Sequence, residues 1–210
     1  MILDFVDRLE RRLREPLPGE EAQRLMAPRP VDERRFNFKQ RSDAKLGSVL
    51  ILFYPDQGRI HLPFILRPTY KGAHSGQVSL PGGKHEPEDQ DLLDTARRET
   101  QEEIGVDGNS IKLIGSLSEM YITVSNFKVL PVVGYIDHKP AFVPEIKEVE
   151  RIIESPLDHL LDQQRRKEKD IVVGDNYVIR SPYFDIDGEV IWGATAMMLS
   201  ELVTLIHEIE

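Results

Sequence analysis

The sequence predicts an α+β fold: a mixed β-sheet sandwiched between helices (α/β/α), with a helical N-terminal extension. Three observations carry that reading. β-Rich runs bounded by turn signals recur along the middle of the chain. A charged helical segment, "DLLDTARRETQEEIG", interrupts them. An apolar-faced segment, "ATAMMLSELVTLIHEI", ends the chain with helical periodicity.

In order, "MILDFVDRLERRL" sets Ile2, Phe5, Val6, Leu9 and Leu13 near one face of an amphipathic helix. It has an acid at Asp4 and no small-residue cleavage site, so it reads as a helix and not as a signal peptide. "PLPG" stops it, and a short second helix is expected over Glu20–Met26. The polar, Pro-interrupted stretch that follows is an arm, giving an extension over residues 1–45 packed on a main domain over 46–210. "GSVLILFY" and "RIHLPFILR" around "PDQG" read as a hairpin. A Gly-rich loop, "KGAHSGQVSLPGGK", leads to a helix from about Asp91 that closes at Gly105, a residue suited to a left-handed cap. Strands are expected in "IKLIGSLSEMYIT" and "FKVLPVVGYI", then a helix over "SPLDHLLDQQRRK". Two or three strands follow, with turns at Gly174-Asp175 and Asp187-Gly188. The last helix is expected to bury Leu199, Leu202, Val203, Ile206 and Ile209.

Composition narrows the function. The 210 residues suffice for one domain with a small addition. The absence of cysteine excludes disulfides, zinc-thiolate sites, iron–sulfur clusters and thiol nucleophiles, and fits a reducing compartment, the cytoplasm. A net charge of -9 argues against a nucleic-acid partner. No run approaches the roughly 18 apolar residues of a membrane span, so no membrane partner is expected. The first helix either caps the domain or meets a second subunit in a homodimer.

Within "RETQEEIG" three carboxylates crowd together. With Glu99 at the origin of a helical wheel, Glu103 lies at about +40° and Glu102 at about -60°. Ala96, Thr100, Leu93 and Ile104 occupy about +60° to +140°, so an acidic stripe runs along the edge of the apolar one. Like charges at this spacing repel. A bare acidic face of this kind is usually just solvated; a hard cation sharing carboxylates with a phosphate is the alternative. The upstream "SLPGGKHEPED" favours the cation, because Gly82 and Gly83 permit a tight backbone turn beside the helix.

Gly83, Asp89, Arg98, Glu99, Glu102, Glu103, Gly105 and Val106 resemble the Nudix hydrolase signature. Asp89 stands where glutamate is usual, eight residues separate it from Arg98, and Thr100 replaces an apolar residue. The extra residue, "DTARRE", "SGQVSLPGG", "EVERIIESPLDHLL" and "GEVIWGATAMML" resemble the coenzyme A pyrophosphatase subfamily. Aligned on it, Arg67 and Gly76 match the upstream signature, while Ile65, Gly72 and Leu80 depart from it. The resemblance implies a Nudix fold and Mg²⁺- or Mn²⁺-dependent hydrolysis of the diphosphate of coenzyme A or another nucleoside diphosphate derivative. It implies Glu99, Glu102 and Glu103 as metal ligands and catalytic acids, with Arg98 as an ion-pair partner for the loop. Glu102, Glu145 and Glu148 are alternative bases. Arg67, Lys71, His74, Gly82 and Gly83 are the expected substrate contacts, although His74 could equally hold a turn. Trp192 reads as a core anchor, and "DIDG" (185–188) as a hairpin turn and not a calcium loop.

Overall fold

Alternation along one strand decides the architecture. In β1 (Lys45–Asp56), Leu50, Leu52 and Tyr54 point to one face of the sheet and Ile51 and Phe53 to the other, and all five are fully buried. A strand apolar on both faces must be covered on both. The computed structural model describes residues 2–30, 43–70, 72, 74–174 and 177–210.

The eight-stranded sheet runs β3 (Val78–Ser79), β2 (Arg59–Leu66), β1, β7 (Phe127–Tyr135), β5 (Lys112–Ser116). β4 (Gly82–Lys84) joins β1, β6 (Met120–Ile122) joins β7, and β8 (Arg151–Pro156) joins β2. β1 and β7 are parallel from Lys45↔Phe127 to Phe53↔Tyr135, and their neighbours are antiparallel, so the sheet is mixed. The "PDQG" hairpin forms as expected, with Gln57 and Gly58 both at positive φ, as a two-residue turn of the right twist requires.

α3 (Leu92–Ile104) covers one face through Ala96 and Ile104. The Asp91 side chain caps its first turn by accepting from Leu93 and Asp94 N–H, and Gly105 ends it at φ 74°. α1 (Ile2–Leu13), α2 (Gly19–Arg24) and α5 (Gly193–Ile209) cover the other face. Phe5, Val6 and Leu9 of α1 share one hydrophobic core with Phe53, Phe64 and Leu202, so the first helix caps this chain's own domain. α5 is buried nearly all round, beyond the amphipathic pattern expected of it, because α1, α2 and strands of both sheets pack against it.

Four expectations change. The helix expected over "SPLDHLLDQQRRK" is only α4 (Leu157–Leu161), because a 3₁₀ turn follows and β9 (Arg166–Val173) begins at once. "RIIESP", not foreseen as a strand, forms β8 by pairing with β2. The other two, at Trp192 and at Gly82 and Gly83, belong with the site below. β9, β10 (Tyr177–Ile186) and β11 (Glu189–Trp192) form a separate three-stranded sheet, whose "DIDG" turn is a hairpin with Asp187 and Gly188 at positive φ. Asp175 of the other expected turn, and residues 31–42 of the arm, lie outside the described residues.

Candidate active site

β4 and β2 share one edge of β1: β4 pairs with Gly47–Val49 and β2 with Tyr54–Asp56. The edge therefore opens between them, and Gly82 and Gly83 lie in β4 against α3, paired with Val49 and Ser48 instead of forming the turn expected of them. Both glycines are required by contact. A Cβ on Gly82, which has φ 149°, would meet the Ser48 carbonyl oxygen at 2.3 Å and Val49 Cα at 2.5 Å. A Cβ on Gly83 would meet the Glu99 carboxylate at 2.4 Å. Gly83 of β4 thus lies directly against the first glutamate of the acidic stripe.

The three glutamates differ sharply in burial. The Glu103 side chain is 2% exposed, Glu99 12% and Glu102 57%. Glu103 Oε2 accepts from Gly82 N–H at 2.8 Å, and Arg67 Nη2 stands 3.9 Å from its other oxygen. Burial pushes the Glu103 carboxyl up to about 7 against the opposing pull of Arg67 and the Gly82 N–H, with Glu99 and Glu148 adding to the rise. Burial also raises Glu99, partly offset by Arg98. Thr100 sits fully buried in the usual apolar place because its hydroxyl donates to the Ala96 carbonyl at 2.7 Å.

Asp89 and Arg98 lock the loop to the helix. Arg98 Nε and Nη2 donate to the two Asp89 oxygens at 2.7 and 3.0 Å, and Nη2 also reaches the Lys84 carbonyl at 3.0 Å. Thr95 Oγ1 and Glu86 N–H donate to the same buried carboxylate. Arg98 holds Asp89 well below the usual carboxylate range. The shorter aspartate and the extra residue before Arg98 are therefore accommodated in a saturated ion pair.

A cavity of ≈ 350 Å³ opens at this place. Arg67, His74, Gly82, Gly83, Glu99 and Glu103 all line it. Glu148 joins them from the loop after β7, which is pinned to the end of α3: Val143 N–H bonds the Ile104 carbonyl and Glu145 N–H the Glu103 carbonyl. Those carbonyls would otherwise be orphaned at the helix terminus. Arg98 and Glu102 do not line the cavity; Arg98 pairs with Glu102 at 2.9 Å and with Glu99 at 3.0 Å. Glu145 is exposed and off the wall, and Lys71 lies outside the described residues. His74, at φ 66°, also serves a turn, its Nδ1 3.2 Å from Gln77 Oε1. Trp192 is corrected: it is half-buried on the cavity wall, because Gly193 turns the chain there into α5. Ser48, Phe127, Thr195 and Met198 also line the cavity. No local pattern marks them, since they arrive from β1, β7 and α5.

Among the described residues no three acids or histidines stand together as a ready-made cation site. Glu99, Glu103 and Glu148 still fit a divalent ion in kind: they are hard oxygen donors facing one cavity, Glu103 is buried, and Glu148 adds to the rise of both Glu99 and Glu103.

A glycine-bearing strand pressed against an acidic helix, latched by an Asp–Arg pair and opening on a cavity, defines a Nudix-type site. The NUDIX domain profile matches residues 45–169, and the chain belongs to the Nudix hydrolase family. It is 37% identical over 194 residues to Nudix hydrolase 15, mitochondrial, of Arabidopsis thaliana, covering 89% of this chain and 65% of that protein. With Nudix hydrolase 22, chloroplastic, of the same plant it shares 36% over 172 residues, 78% of this chain and 56% of the relative. With the mitochondrial coenzyme A diphosphatase NUDT8 of Mus musculus it shares 33% over 167 residues, 78% of this chain and 79% of that one. The match thus spans less than two thirds of either plant relative. No helix among the described residues is long and apolar enough to cross a membrane.

Proposed function

We propose that this chain hydrolyses the diphosphate bond of coenzyme A or its derivatives, giving 4′-phosphopantetheine and adenosine 3′,5′-bisphosphate. The observation that carries the reading is the convergence of Glu99, Glu103, Glu148 and Arg67 on one cavity. The coenzyme A diphosphatase among the relatives supports the substrate.

Glu99 and Glu103 would hold Mg²⁺ or Mn²⁺, with Glu102 as a further ligand only if it leaves Arg98. When bound, such an ion neutralises phosphate oxygens and acidifies water. Arg67, held by Ser79 Oγ at 3.1 Å, presents a guanidinium to the anionic substrate. Glu148 would take the proton of the attacking water, because it lines the cavity and Glu102 and Glu145 do not. Arg98 is a positioning residue. His74, Gly82 and Gly83 shape the phosphate side of the cavity, and Lys71 keeps its expected role at the substrate.

A hydrolysis panel with Mg²⁺ and Mn²⁺ tests the proposal. Coenzyme A and acyl-coenzyme A should turn over faster than ADP-ribose, NADH or nucleoside triphosphates. A preference for ADP-ribose would overturn the substrate and leave the site. Binding across the panel without turnover would make the chain a nucleotide-binding module. The cytoplasm remains the expected compartment, to be tested by fractionation against relatives named for mitochondria and chloroplasts.

A further inference from the structure

The first turn of α5 also opens onto the cavity: Ala194, Thr195 and Met198 line it together with Trp192. Among the described residues no side chain caps this 17-residue helix, and no acid lies in its first turn. Its first N–H groups have no acceptor within the helix and carry the positive end of its dipole. A Cβ built on Gly193 meets nothing within 4 Å, so the space before the helix is open.

Thr195 supplies an independent sign of a ligand. It is 8% exposed, and its hydroxyl makes no hydrogen bond to any described residue. The other helical threonines do not behave this way. Thr100 and Thr204 turn back on the carbonyls of Ala96 and Ser200, and Thr95 bonds Asp89. Its side chain is nine-tenths enclosed and lines the cavity, so the hydroxyl is left to bond what the cavity holds.

The geometry points to a phosphate subsite at the start of α5, built from the Thr195 hydroxyl and the free first-turn N–H groups. We infer that it takes a phosphate monoester the ligand carries apart from its diphosphate, such as one on the ribose. The scissile diphosphate belongs with the glutamates and Arg67, where negative charge needs a cation. The α5 end has neutral donors and no acid, and is flanked by Trp192, Phe127 and Met198, so it can accept a phosphate without one. The inference rests on the proposed function for its choice of ligand and makes the subsite the selector of ribose-phosphorylated substrates.

The test is calorimetric titration of adenosine 3′,5′-bisphosphate and AMP into the metal-free protein, in wild type, Thr195→Val and Thr195→Ser. The bisphosphate should bind more tightly than AMP. Thr195→Val should cut that preference about tenfold, and Thr195→Ser should retain it. In turnover, the same Val variant should raise the KM for coenzyme A about tenfold relative to that for dephospho-coenzyme A. Equal binding of the two nucleotides, or an undiminished preference in a folded Thr195→Val protein, overturns the subsite. Should Thr195→Val fail to fold, Thr195→Ala takes its place. The titration reads the subsite even if neither coenzyme is hydrolysed. Hydrolysis of coenzyme A with unchanged selectivity in the variant would sink the subsite and leave the proposed function.

Discussion

At the scale of single residues, Glu103 has the most to lose from its position. Its carboxyl is raised to about 7, whereas an unfolded glutamate titrates near about 4.3. The folded state therefore holds a proton the unfolded state has released, and metal-free stability falls as pH rises through that window. Glu103→Gln should melt higher than wild type at pH 8 in EDTA, with the gap closing below about pH 4. Thermal melts across pH check this, and a wild type as stable as the variant at pH 8 would refute it. The neighbouring glycines separate function from fold. Gly82→Ala meets backbone and should lower stability by roughly 2 kcal/mol. Gly83→Ala meets the movable end of Glu99, so it should keep a near-wild-type melting temperature and lose at least tenfold in kcat if that carboxylate holds the ion.

At the scale of elements, the latch between the loop and α3 is one saturated carboxylate. Asp89→Asn removes the charge opposite Arg98 and should cost about 3 kcal/mol. Because Asp89 is depressed in the fold, its contribution is present above about pH 4 and lost as acid titrates it. The variant has already lost that contribution, so its melting temperature should fall less than the wild type's between pH 5 and pH 3. Equal acid sensitivity in both would argue against the latch. α3 itself is legible in the sequence, from its Asp91 cap to its Gly105 terminus, because both are local backbone devices. Its burial order is only half legible. A wheel puts Glu99, Glu102 and Glu103 on one arc, but only packing tells that Glu103 is enclosed while Glu102 reaches water. β8 and the short α4 were not legible, since pairing with β2 decides what "RIIESPLDHLL" becomes.

At the scale of the whole molecule, α5 is tied to the rest by a fully buried carboxylate. Glu201 accepts from Gly19 N–H, Gln23 Nε2, Ser118 N–H and Ser118 Oγ, joining α2, α5 and the loop after β5. Glu201→Ala leaves those donors unpaired and should destabilise the protein by about 3 kcal/mol in denaturant titration. A loss under 1 kcal/mol would mean water replaces the carboxylate. The same connection matters for the site, because α5 carries Thr195 and Met198 to the cavity from the far end of the chain, next to Trp192 at the end of β11. The sequence by itself determined the hairpins, the capped acidic helix, the apolar faces of α1 and α5 and the cluster of acids on α3. These rest on periodicity and on backbone preferences within a few residues. Only the tertiary structure decided that Glu148 and not Glu102 faces the cavity, that Trp192 walls it, and that the Thr195 hydroxyl has no hydrogen-bond partner among the described residues. Those outcomes depend on which distant strands and helices meet, and burial is a property of that meeting.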